Sequence, residues 1–220
     1  ATTWALNMES LSSSAKQVLQ GAALLHPSNI PVEVAEMILK KLNTSDGAAS
    51  VASDVSVESI LLELARLSLI DRSSNGGIFS MHRLVQQVTL DDMARRAETT
   101  EEGQPEPWLG SLQQTVVEAA SEILDTFDQH DPKTWPAAHT MLPHVGELRG
   151  RLEGIIDEGI GGGLARLLHT SGNVMHVCGD IRGAQLQFEQ ALAMKYAVFG
   201  EGAQNASLAK NVRASCRVRE

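Results

Sequence analysis

Residues 69–86 constrain this chain most: Leu69-Ile70-Asp71-Arg72, then Ser73-Ser74-Asn75-Gly76-Gly77, then Ile78-Phe79-Ser80-Met81-His82-Arg83-Leu84-Val85-Gln86. Two short apolar stretches flank an Asn-Gly-Gly turn. Asn and Gly tolerate the positive φ that such a turn needs, so the segment predicts a β-hairpin. The second stretch runs directly into a helical pattern on Leu84, Val85, Val88 and Met93. A Met-His pair is left at the strand-to-helix junction.

Three apolar-periodic segments precede the hairpin. Ser12–Leu25 opens with serines able to cap and places Ala15, Val18, Leu19, Ala22 and Leu25 on one face, with Pro27 as its stop. Pro31 is placed to be the first residue of a second helix carrying Val34, Ala35, Ile38, Leu39 and Leu42. Residues 43–56, rich in Ser, Asp, Ala and Gly, read as a loop. Val57–Leu67 is the third helix, with Ile60, Leu61, Leu64 and Leu67 as its buried stripe. The order helix, helix, helix, strand, strand, helix is the winged-helix plan.

The second half reads differently. Glu98–Pro107 is acidic and apolar-poor, which predicts a linker at 97–107 between a domain at 1–96 and a helical domain at 108–220. Trp108–Phe127 is amphipathic through Leu112, Val116, Val117, Ala120, Ile123, Leu124 and Phe127. Thr134–Leu152 is a further helix, interrupted at Pro143, and Gly159–Gly163 reads as a break. Two antiparallel helices follow, Leu164–Cys178 and Ile181–Phe199, joined at Gly179-Asp180. The fold class expected is therefore mainly α, with one hairpin.

The last pair carries a spacing signal. Gly172, Gly179, Ala184, Phe188 and Ala191 put small residues where two helices cross and an aromatic ring beside them. This is the pattern of a tetratricopeptide repeat at about 164–199, and a partial repeat is expected from 206. An ordinary helical hairpin with small residues at its crossing would carry the same residues.

Charge and composition exclude several functions. The net charge is −9, and residues 97–205 hold 6 basic and 16 acidic groups, which argues against nucleic acid and anionic membrane as partners. No apolar run is long enough to span a membrane. Cys178 and Cys216 form no CxxC pair, and a reducing, cytoplasmic location is expected. Aromatic residues are 4% of the chain, so its core is built from Leu, Ile, Val, Ala and Met.

With both halves in view, the chain resembles the C-terminal part of signal-transduction ATPases with numerous domains, the STAND group that includes NB-ARC proteins. The resemblance rests on Thr3-Trp4-Ala5-Leu6, Leu11, the helix ending Ala22-Ala23-Leu24-Leu25-His26-Pro27, and Ile30-Pro31. It continues through Leu64–Ile70, Met81–Gln86, Thr134-Trp135-Pro136 and Leu142-Pro143-His144-Val145. It implies a winged-helix domain followed by tetratricopeptide repeats that bind a protein partner, and an upstream nucleotide-binding domain in cis. It also implies that His82, with Met81 before it, senses ADP or ATP held by that upstream domain. Arg83 replaces the usual Asp, and no GxxxxGK[ST] is present, so this chain holds no phosphate cradle and no cofactor of its own. Read from the residues alone, His82 is a junction histidine that packs or caps.

Enzymatic chemistry is not expected. His139 and His144 point different ways around a helix, and His169 and His176 are about 10 Å apart by helical rise, too far to share a Zn²⁺. Asp91-Asp92 and Glu101-Glu102 read as solvated charge, and no nucleophile and base are paired in sequence. Two further readings are a free-standing helical adaptor and a DNA-binding winged helix. The second is opposed by Glu58 and Glu63 on the third helix, against Arg66 there and Arg72 beside it. The basic tail (Lys210, Arg213, Arg217, Arg219) suits an acidic partner or a solvated helix face.

Overall fold

Helix α1 (Ser13–Ala23) starts where the serine run allows it: the Ser12 hydroxyl accepts a hydrogen bond from the Ala15 N–H at 3.2 Å. The computed structural model describes residues 8, 10–45, 56–98, 107–155 and 158–200. The described residues are mainly helical with one small sheet, and the chain divides into two compact units, Ala1–Ala119 and Ala120–Glu220. The expected linker lies largely outside the described residues. So do Thr3–Leu6, the partial repeat from 206, Cys216 and the basic tail.

In the first unit, α1 is followed by β1 (Ile30–Pro31), α2 (Val32–Ser45), α3 (Val57–Arg66), β2 (Ile70–Arg72), β3 (Ile78–Met81) and α4 (Arg83–Glu98). The expected hairpin is the pairing of β2 with β3, in the register Ile70 to Met81 and Arg72 to Phe79. A third strand adds to it. Ile30 and Pro31 pair antiparallel with Phe79 and Ile78, so β3 is central and the sheet order is β1-β3-β2. Pro31 thus ends an edge strand, where its missing N–H costs nothing, and α2 begins one residue later than expected. Two residues are too short for a period-two pattern, which is why the strand is invisible in sequence.

The hairpin turn is closed by Asn75, whose Oδ1 accepts from the Ser73 hydroxyl at 2.8 Å and from the Gly77 N–H at 3.2 Å. Gly76 takes the positive φ, +71°. Helix α3 ends in a Schellman motif: the Leu69 N–H reaches the Leu64 carbonyl and the Ser68 N–H reaches that of Ala65. Ser68 holds the left-handed position at φ +56°, where glycine is usual. The core of this unit is made by Leu19, Leu25, Ile30, Ile38, Ile60, Leu61, Leu64 and Phe79, all essentially solvent-free.

Helix α4 departs from its expected face. Leu84 is 66% exposed, and the buried side chains are Gln86, Thr89 and Met93. The inward stripe begins at Gln86 and not at the apolar pair beside His82.

The chain then forms α5 (Pro107–Asp125), a 3₁₀ turn at Pro132–Thr134, α6 (Trp135–Arg151), α7 (Glu158–Val177) and α8 (Ile181–Phe199). The first part of α5 belongs to the first unit: Val116 lies against Gly21, and Lys41 pairs with Glu118 at 3.0 Å. Burial alone would raise the Glu118 pKa, but hydrogen bonds from Lys41 and Gln114, with the Lys41 charge, hold it below the usual carboxylate value. Helix α6 continues through Pro143, whose ring lies on an exposed face.

The glycine run at 159–163 is not a break. It lies inside α7, which begins at Glu158, six residues before its expected start at Leu164. A Cβ on Gly161 would fall 2.6 Å from Val198 Cγ2, and one on Gly162 would fall 3.2 Å from Phe199 Cζ. These glycines admit the last turn of α8, and that packing outweighs their poor helix propensity.

Candidate functional site

Two places carry the expected functional residues. The first is the junction of β3 and α4. Met81 is buried, and its N–H donates to the Pro27 carbonyl at 2.7 Å, which fixes the end of the strand. His82 follows on the surface. Its Nδ1 accepts from the Leu84 N–H at 3.2 Å, capping the first turn of α4. That bond requires an unprotonated Nδ1, so the neutral ring carries its proton on Nε2. An exposed N–H donor therefore stands beside a helix N-terminus, a place that favours an anion.

Gln86, which sequence reasoning passed over, holds this junction to α1. Its Nε2 donates to the carbonyls of Leu25 and Ala23 at 2.7 and 3.2 Å, and the residue is buried. A polar residue at i+4 from the junction histidine was the available signal.

The second place is the pair α7 and α8. Gly172, Ala184, Phe188 and Ala191 are all buried at the crossing. A Cβ on Gly172 would lie 2.6 Å from Phe188 Cε1, so the ring fills the space that glycine leaves. Gly179 takes φ +87° in a Schellman turn, with Asp180 N–H to Met175 O and Gly179 N–H to His176 O. The Asp180 carboxylate then caps α8 by accepting from the Gly183 N–H at 2.9 Å. His169 lies against Phe188, with ring centroids 5.4 Å apart. Burial pushes its imidazole below the ordinary value, and the Lys195 charge adds to the shift.

The histidines read as structural sort into different places. His144 is fully buried, and no group of three metal ligands is present among the described residues. His139 finds its partner outside its own helix. Its Nε2 lies 2.8 Å from Cys178 Sγ across two helices, a pairing that no spacing within one helix reveals.

Residues 6–98 match the family model of a domain of unknown function, DUF7779. The matched span closes at the last residue of α4, so it takes in the sheet and the His82 junction. Neither the comparison with curated proteins nor that with solved structures finds a match. No helix among the described residues is long and apolar enough to cross a membrane.

Proposed function

We propose that this chain is a non-catalytic regulatory and protein-interaction segment of a STAND or NB-ARC-like signalling NTPase. Residues 1–96 are its winged-helix switch module, and residues 108–220 are a tetratricopeptide-like scaffold for a protein partner. The observation that carries the reading is the His82 ring: anchored through Nδ1, exposed, and presenting an Nε2 donor at a helix N-terminus. A phosphate of a nucleotide bound by an upstream domain is the ligand such a donor suits. The element order α1-β1-α2-α3-β2-β3-α4, with a hairpin after the third helix, supports the winged-helix half. The close crossing of Gly172 with Phe188 supports the repeat half.

The DNA-binding alternative loses ground on one contact. Arg72, the arginine next to the hairpin turn, is paired with Glu58 at 2.7 Å, and Glu63 is engaged by the Ser12 backbone and hydroxyl. No uncompensated basic cluster is left on α3 to meet phosphates. The free-standing adaptor remains the second reading, since the scaffold half needs no ATPase.

The coding sequence upstream of Ala1 separates the two. An in-frame GxxxxGK[ST] is expected. Translation that starts close to Ala1 overturns the switch and leaves the adaptor.

A further inference from the structure

A cavity of about 460 Å³ opens in the second unit, between the C-terminal end of α5 and the C-terminal half of α7. Its size falls within the range of ligand clefts, roughly 300–1,000 Å³. Phe127 and Val177, both partly exposed, give it an apolar wall, and Asp128, Gln129, Asn173 and His176 stand around it. We propose that this cleft binds an extended peptide segment of a partner protein, with a lysine or arginine side chain seated at Asp128. The proposal rests on the scaffold half of the function above.

Three observations point to that occupant. The side chains of Asn173 and His176 make no hydrogen bond or ion pair with any described residue. A side-chain amide offers both a donor and an acceptor, which is what a peptide backbone in extended form requires. The second is charge. Asp125 is paired with Arg166, but Asp128 has no cationic partner among the described residues; its Oδ1 accepts from the His130 N–H at 2.8 Å and its Oδ2 remains available. An anionic ligand is disfavoured there, and the 16 acidic against 6 basic groups of residues 97–205 attract a cation over the longer range. The third is the donor set. No three metal-ligating residues meet in the cleft or elsewhere among the described residues, so an organic cation fits better than a metal ion. The apolar wall at Phe127 and Val177 then takes the neighbouring side chain of the same peptide.

The test is calorimetric titration of the full chain with acetylated, amidated Ala-Leu-Lys-Ala-Ala, and with its glutamate counterpart. The lysine peptide binds, and the glutamate peptide binds about tenfold more weakly or not at all. Asp128→Asn and Asn173→Ala each weaken the lysine peptide by about fivefold or more. Glu189→Gln, an exposed carboxylate on α8 outside the cleft, leaves it unchanged. Equal affinity of the two peptides, or equal loss in Glu189→Gln and Asp128→Asn, overturns the proposal in favour of diffuse charge. Butylamine binding as tightly as the peptide overturns it in favour of a bare cation site. The titration involves no nucleotide and no upstream domain, so its outcome is independent of the switch reading.

Discussion

The side-chain amide of Gln86 donates to the carbonyl of Leu25 at 2.7 Å, tying helix α4 to the end of α1 from a buried position. A second bond from the same nitrogen reaches Ala23. Gln86→Leu keeps the volume and removes both donors, leaving carbonyls at a helix end without them. The expected loss is about 1–3 kcal/mol, read as a lower urea midpoint at unchanged slope.

Gly172 and Phe188 define the α7–α8 crossing by close approach. Gly172→Ala forces the ring to move and is expected to cost about 1–3 kcal/mol by overpacking. Adding Phe188→Leu makes room, so the double variant loses less than the sum of the two single losses. A double-mutant cycle by urea unfolding measures that coupling; additive losses contradict the packing account.

Ser68 occupies a left-handed position that strains any residue with a Cβ. Ser68→Gly is expected to raise stability by about 1 kcal/mol, visible as a higher unfolding midpoint.

His169 predicts a pH dependence with a definite sign. Its folded pKa lies below the ordinary value of 6.5, so the unfolded chain takes up the proton more readily. Its contribution to stability is complete above that ordinary value and is lost as pH falls through the lowered folded value. Unfolding of the wild type and of His169→Phe, compared between about pH 7 and about pH 5, shows a smaller acid loss in the variant.

How much of this was legible in the sequence follows from what each signal depends on. Helix α8 begins and ends where its pattern places it, Ile181–Phe199, because Asp180 caps it and Gly200 stops it locally. The β2–β3 hairpin was equally local, written in Asn75, Gly76 and Gly77. Strand β1 was not, since Ile30 and Pro31 become a strand only by meeting Phe79 and Ile78 far along the chain. The glycines at 161 and 162 read as a break because their reason for being there, Val198 and Phe199, is about 37 residues away. The same holds for the candidate sites. His82 stood out through its neighbours, whereas the His139–Cys178 contact and the α5–α7 cleft arise from tertiary packing alone.

The central claim is that His82 reports on a nucleotide held by an upstream domain of the intact protein. Titration of ADP into the intact wild type and into His82→Ala tests it most directly. The account predicts about tenfold weaker ADP binding in the variant, with the helix-capping loss checked separately by its unfolding midpoint. Equal ADP affinity in the two proteins contradicts the claim and leaves His82 as a cap on α4.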